Sequence, residues 1–327
     1  MLATVRRLRF SPKSEARPRR LGGTWREPLL ETTGTPMVCW PSSKSVNGDA
    51  LSSRSLLVID PDRFVHELIR SILEREDRTI QGAYGRSDAE AFLRAAPYDV
   101  VLAGQGRNGS DGLRMARRVR ALQPDARVIL TGDSDPAHVI GAIRARVFGY
   151  CHNPPPSGPL NDIVQQALDT ASWQNDILVV SARPEWITLD VRCNMEAGDR
   201  TTQFVRELEA ALPAQMREDV TSAFRELLLN AIEHGGRYNP KKRVRVWLVR
   251  TPKALIVQIQ DPGKGFSLDS LPHAAISNPE DSPIRHVEVR AEAGQRPGGF
   301  GILMTRNLVD ELVYNERGNG VLFVKYL

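Results

Sequence analysis

The stretch FRELLLNAIEHGG, residues 224–236, decides the fold expected for the second half of this 327-residue chain. Its apolar residues recur every three to four positions, which predicts a helix that packs one face on a core. Glu226, Asn230 and His234 are spaced four apart and would share one side of that helix. A solvated polar face has the same pattern, so the helix alone does not identify a site. The pair Gly235-Gly236 is expected to end the helix.

Two glycine-rich segments follow this predicted helix. Residues 243–250 and 254–261 form a plausible β-hairpin, whose second strand runs into DPGKGF at 261–266. An acidic residue and glycines at a strand end would place a carboxylate beside exposed backbone amides. GGFGILM at 298–304 opens another predicted helix, and the free amides of a helix N-terminus attract anions. Between them, the polar segment 267–297 is too long for an ordinary connection.

These motifs, taken in order, resemble the N box and the two glycine boxes of the GHKL ATPase superfamily. The sequences ELLLNAIEHG, DPGKGF and GFGILM, the last followed by LVDEL, are similar to the branch of anti-sigma-factor serine kinases. The resemblance covers residues 176–327. It implies an α/β sandwich with a mixed antiparallel sheet, helices on one face and a mobile ATP lid.

The resemblance also implies a role for each matching residue. Asn230 would offer its side-chain oxygen to Mg²⁺, and Glu226 would act as general base toward a serine hydroxyl. Asp261 would accept a hydrogen bond from the adenine amino group of ATP. His234 matches the branch as well, although a helix-end cap is an equally good role for it. The remaining implied nucleotide contacts are Gly263, Gly265, Gly299, Phe300 and Gly301.

The first half of the chain alternates strand and helix patterns, which predicts a flavodoxin-like parallel sheet of five strands. Ser87 is expected to cap the second helix, and the proline run PPPSGP at 154–159 is expected to be a loop before the last one. The predicted strands are residues 56–60, 78–84, 98–104, 126–132 and 147–151.

This segment, residues 54–172, resembles the receiver domains of response regulators. The family's phosphoacceptor aspartate corresponds to Gly104, in the register fixed by Asp111-Gly112. Thr131 matches the Thr or Ser that ends the fourth strand in the family, and Asn153-Pro154 stands where the family has Lys-Pro. Of the family's acidic pair after the first strand, only Asp60 is present. Because glycine has no side chain to phosphorylate, we expect a degenerate receiver that serves in docking or dimerisation.

Charge is distributed unevenly along the chain. Residues 1–54 hold ten basic and four acidic residues, a net charge of +6, whereas the remaining 34 basic and 35 acidic residues give −1. The tail, residues 1–53, is therefore expected to be a disordered basic extension, with an arm for nucleic acid or an acidic surface as the alternative. The folded part has no basic bias, so direct nucleic-acid binding is not expected.

Other features of the sequence bear on the cellular compartment of the protein. The sequence has no apolar run of membrane-spanning length and no secretory signal pattern. Its three cysteines form no metal-binding or paired pattern, which favours a reducing, cytoplasmic setting.

Two functions stay open for the chain as a whole. The first is a cytoplasmic ATP-dependent serine kinase that phosphorylates a small antagonist protein and sequesters a sigma factor, as a monomer or a homodimer. The second is a protein-interaction module that binds nucleotide without catalysis, favoured by Val321 where the family has a hydroxyl residue. A histidine kinase is disfavoured, because His66, His138 and His152 all lie in the receiver-like segment and no phosphoacceptor helix pair precedes the ATP-binding part.

Overall fold

The computed structural model of the protein describes residues 53–104, 110–265 and 301–327. The predicted basic tail, the expected ATP lid, and the candidate residues Gly299 and Phe300 lie outside the described residues.

The first domain is a parallel sheet of five strands in the order β2-β1-β3-β4-β5, flanked by helices. The middle strand, Val100–Gly104, is apolar throughout and almost wholly buried, as expected for a sheet covered on both faces. This confirms the predicted flavodoxin-like fold. The strands are β1 Arg54–Ile59, β2 Arg78–Ala83, β3 Val100–Gly104, β4 Arg127–Gly132 and β5 Gly149–His152. The helices are α1 Arg63–Leu73, α2 Arg86–Ala95, α3 Ser110–Leu122, α4 Pro136–Arg144 and α5 Ser157–Asp169.

Two local predictions in this domain are wrong. Helix α2 begins one residue before Ser87, with Gly85 at the N-cap and no side-chain cap. Helix α5 begins at Ser157 and includes Pro159 in its first turn. A proline fits there because the first amides of a helix have no intrahelical acceptor.

The second domain is a sheet of six strands in the order β10-β11-β9-β8-β7-β6, and every described pair is antiparallel. Its helices pack on the sheet, with α6 against β7 and α7 against β9. The predicted α/β sandwich is therefore confirmed. The strands are β6 Ile177–Arg183, β7 Trp186–Arg192, β8 Arg243–Arg250, β9 Ala254–Gln260, β10 Glu311–Tyr314 and β11 Gly320–Tyr326. The helices are α6 Met195–Leu208, α7 Ala214–Asn230 and α8 Gly301–Leu308.

The helix predicted over 224–236 changes its winding part of the way along. It is α-helical to Asn230 and then widens into π-helical turns over Ala231–Gly236. Arg237, not a glycine, adopts the left-handed conformation that ends it, with φ of 56°.

The two domains share one hydrophobic core. A single cluster of buried apolar side chains includes Val139 and Tyr150 of the first domain and Phe204 and Leu208 of helix α6. Helix α6 packs against both α4 and β5, and α4 also contacts β6.

A buried arginine lies at this junction. Arg200 of α6 is only 3% exposed, and its Nε donates to the carbonyl of Phe148 at 2.9 Å. Its Nη1 contacts the carboxylate of Asp176 at 3.3 Å, and the guanidinium stacks over the rings of Phe148 and Trp173. Desolvation lowers the pKa of Arg200 to about 10, although Asp176 opposes the shift. The linker between the domains is thereby fixed by a paired internal charge.

A second buried acidic group at this interface is less closely paired. Glu207 of α6 is 5% exposed, and its Oε2 accepts no hydrogen bond from the described residues. Nδ1 of His152 lies 3.6 Å away, and Arg206 and Arg217 also face the carboxylate. Burial raises the pKa of Glu207 to about 7, against the attraction of the two arginines. Burial likewise lowers the pKa of His152.

We expect Glu207→Gln to stabilise the protein at alkaline pH and not at acidic pH. Because the pKa of Glu207 rises from 4.5 to about 7 on folding, its contribution to stability is full below 4.5 and is lost as pH rises through 7. The variant should therefore gain on the order of 1–3 kcal/mol over wild type by about pH 8.

Thermal unfolding across this pH range measures the effect, with Glu67→Gln as the control at an exposed glutamate. Parallel curves for wild type and Glu207→Gln would contradict the assignment.

Candidate functional site

Helix α7 carries the first two candidate residues. Buried Val220, Phe224 and Leu228 fix one face of the helix against the core. Glu226 and Asn230 are half-buried on its other side, where Nδ2 of Asn230 donates to Oε1 of Glu226 at 3.1 Å. This hydrogen bond directs the amide oxygen of Asn230 away from the carboxylate, so it is available to a cation.

The N-terminus of helix α8 meets the same carboxylate. A Cβ on Gly301 would overlap Oε1 of Glu226, so a larger residue at 301 would require this carboxylate to move. Burial, and then the charge of Glu226, raise the pKa of the Tyr314 phenol on β10. The structure thus brings Glu226, Asn230 and Gly301 together.

Asp261 follows β9 directly and is packed between glycines. The amide of Gly263 donates to its Oδ1 at 2.6 Å. A Cβ on Gly235 would overlap the carboxyl group, and one on Gly263 would lie 2.9 Å from the Cα of Gly235. Burial raises the pKa of Asp261, against the hydrogen bond from Gly263. The end of the π-helical turn and the start of the DPGKGF segment therefore form one contact.

The other candidates of this segment lie at its edge. His234 is exposed, and its charge acts on Asp261, where it lowers the pKa of the carboxyl. Gly265 adopts φ of 82°, which favours glycine, and it packs against the carbonyl of Arg317.

Sequence reasoning missed several residues at this site. Cys193 is buried beneath Gly236, at a separation that excludes a Cβ on the glycine. The turn between β10 and β11, NERGNG at 315–320, lies against Asp261 and Gly265. Its asparagines and glycines are typical of a turn, but a pattern of turn residues does not indicate which other segment the turn contacts.

The strand ends of the first domain bring together a different group. Gly104 pairs with Thr131, and a Cβ on Gly104 would overlap Oδ2 of Asp60. Asp60 is 6% exposed and its Oδ1 accepts from the amide of Asp62 at 2.8 Å. Burial raises the pKa of Asp60. Asn153 follows β5 at the same edge, with its amide bonded to the carbonyl of Gly132.

Neither domain contains a ready metal site among its described residues, where no group of three His, Cys, Asp or Glu side chains could hold an ion. In the second domain, the amide oxygen of Asn230 could still bind a cation that the phosphates of a nucleotide share. In the same described part of the chain, no helix has the length and apolar character that crossing a membrane requires.

Comparisons with known proteins identify both domains. Residues 194–325 match the family model of the histidine kinase-like ATPase domain. Residues 56–165 match that of the response regulator receiver domain. An ATPase-like domain implies ATP binding, usually with Mg²⁺.

Similarity to individual proteins falls on the receiver part. Over 106 residues, the chain is 27% identical to the transcriptional regulatory protein ResD of Bacillus subtilis (strain 168). That match covers 32% of this chain and 44% of ResD, so the chain spans less than half of that relative.

Two solved structures are also similar. A response regulator from Thermotoga maritima is 22% identical, with 36% of this chain and 99% of that chain covered and a TM-score of 0.34. A response regulator from Burkholderia pseudomallei is 22% identical, with 36% and 67% covered and a TM-score of 0.32. Together with the family models, the described sheets make this chain a receiver domain followed by a histidine kinase-like ATPase domain.

We expect Gly235→Ala to weaken ATP binding by at least about tenfold, because the new methyl group would displace the carboxyl of Asp261. Gly158→Ala is the matched control. A Cβ at Gly158 meets nothing within 4 Å, and the residue lies in the first turn of α5. Calorimetric titration with Mg-ATP measures both, and equal affinities for the two variants would refute the role of this contact.

Proposed function

We propose that this protein is an ATP-dependent serine kinase of the anti-sigma-factor type. It would phosphorylate a small antagonist protein in the cytoplasm and bind a sigma factor through the same domain. The observation that carries the proposal is the position of Glu226, which touches Asn230 on one side and the first residue of α8 on the other. A domain that only held ATP would not need a carboxylate there.

The chemistry follows from these positions. Mg²⁺, when bound with ATP, would neutralise charge on the phosphates and leave the γ-phosphorus open to attack. Asn230 would hold that ion through its amide oxygen, and the amides at the start of α8 would face the phosphates. The second glycine run, which includes Gly299 and Phe300, would contribute further amides.

Glu226 would accept the proton of the attacking serine hydroxyl. A bond forms between that serine oxygen and the γ-phosphorus as the bond to the bridging oxygen of ADP breaks. The serine proton goes to Glu226, and ADP leaves with the electron pair. Asp261, with Gly263 and Gly265 beside it, would hold the adenine, and the exposed His234 would line the rim of this pocket.

The second candidate is an interaction module that binds nucleotide without transferring phosphate. Val321 favours it, because this buried valine of β11 stands where the resembling family has a Thr or Ser. A module of this kind would act on a sigma factor or its antagonist by contact alone, alone or as a homodimer.

Substitution on α7 separates the two functions. Glu226→Gln should lower phosphate transfer from labelled ATP to a candidate antagonist by about 100-fold or more while Mg-ATP still binds. Asn230→Ala should weaken Mg-ATP binding itself. The matched control is Glu233→Gln, at an exposed glutamate of the adjoining π-helical turn.

Transfer that survives Glu226→Gln would exclude the proposed base. ATP binding without transfer to any antagonist or sigma-factor partner would favour the module.

We further propose that the receiver domain is degenerate and works by protein contact. Gly104 offers no carboxylate, and Asp60 occupies the space in front of it. The whole chain, incubated with acetyl phosphate, should therefore acquire no base-labile label, whereas a receiver with an acceptor aspartate should be labelled alongside it. Label that appears on the wild type and disappears in Asp60→Asn would overturn the proposal and identify Asp60 as a substitute acceptor.

A further inference from the structure

The turn between β10 and β11 is held by two asparagines. Oδ1 of Asn315 accepts from the amides of Asn319 and Gly320, each at 3.1 Å, and its Nδ2 donates to Oδ1 of Asn319 at 3.0 Å. The Asn315 amide donates to the carbonyl of Gly320 at 2.8 Å. Side-chain amides thus make most of the hydrogen bonds that fix this turn.

The same turn holds the segment that carries Asp261. The carbonyl of Asn319 accepts from the amide of Asp261 at 2.9 Å and from Nε2 of Gln260 at 3.0 Å. Nδ2 of Asn319 donates to the carbonyl of Gly263 at 3.3 Å. Asn319 therefore bonds to the chain on both sides of the Asp261 carboxylate.

The other residues around the Asp261 carboxylate restrict its orientation. Gly235 closes one side and the Gly263 amide takes Oδ1. Among the described residues, the hydrogen bond to this carboxylate falls on Oδ1, which leaves Oδ2 to accept from a ligand. A carboxylate oxygen held in place accepts a hydrogen bond from an amino group and repels a carbonyl oxygen.

We propose that Asn319, held by Asn315, is the positioning residue that makes this site specific for a purine with an exocyclic amino group at the Asp261 position. The proposal rests on the ATP binding proposed above and assigns its base specificity to the β10–β11 turn. A base with a carbonyl in place of the amino group would set two acceptors against each other, and rejection depends on Asp261 being unable to turn aside.

The test compares ATP with inosine triphosphate, which differs at that position of the base, on the full chain. Wild type should favour ATP by about tenfold or more, since a mismatched polar pair costs on the order of 1–3 kcal/mol. Asn319→Ala should lower this ratio of the two affinities toward one, mainly by weakening the binding of ATP. Asn319→Asp keeps the shape of the side chain but cannot donate to the Gly263 carbonyl, so the preference for ATP should be reduced in this variant as well.

Controls separate specificity from folding. Glu316→Ala, at an exposed residue of the same turn, should leave the ratio unchanged. If Asn319→Ala does not fold, Asn315→Ser, which shortens the supporting side chain, should still reduce the ratio in a folded protein.

The outcomes are distinguishable. Wild-type protein that binds neither nucleotide would overturn the proposed function together with this inference. Wild-type preference for ATP that persists in the folded Asn319 and Asn315 variants would overturn this inference alone.

Discussion

The buried guanidinium of Arg200 is the interaction on which the arrangement of the two domains depends. It belongs to the second domain, yet its partners are a carbonyl at the start of β5, the linker, and the carboxylate of Asp176. Asp176 is fully buried, so neither charge has water as an alternative partner. Asp176 also lies 3.3 Å from Nε of Arg192, but without Asp176 the buried Arg200 would lose this carboxylate, and an unpaired buried charge typically costs about 3–5 kcal/mol. The pair therefore commits the receiver and the ATPase domain to one relative position.

That position places the receiver one helix away from the candidate site. Helix α6, which covers α4 and β5 of the receiver, also packs against the site helix through Gly198. A Cβ there would lie 2.8 Å from Leu229 and 3.0 Å from Ile232. Close packing of this kind transmits displacement rather than absorbing it. Helix α6 also covers part of α4 and β5.

Sequence periodicity predicted most of the elements, because burial on a strand or helix imposes a pattern that is local in the chain. The hairpin of β8 and β9 and the helix up to Asn230 follow that rule. The π-helical widening after Asn230 does not, since it accompanies contacts with distant residues, Asp261 against Gly235 and Cys193 against Gly236. Ser87 and Pro159 show a smaller limit of prediction from sequence. Serine and proline occur both at the boundary of a helix and within its first turn, so their presence does not fix the residue at which the helix begins.

The candidate site was predictable only where its residues lie on recognisable segments. Glycines 235, 265 and 301 could be named from the sequence, but what each of them touches depends on chain approaches across the fold. Two such approaches bring an aspartate against a glycine, with opposite consequences. At Gly104 the carboxylate of Asp60 is 6% exposed and turned into the protein, where it occupies the space of a missing side chain. At Gly235 the carboxylate of Asp261 is half-buried at the edge of a sheet, with one oxygen bonded internally. A partly open carboxylate that is held in place can accept a hydrogen bond from a ligand, whereas the buried carboxylate of Asp60 is not accessible to one.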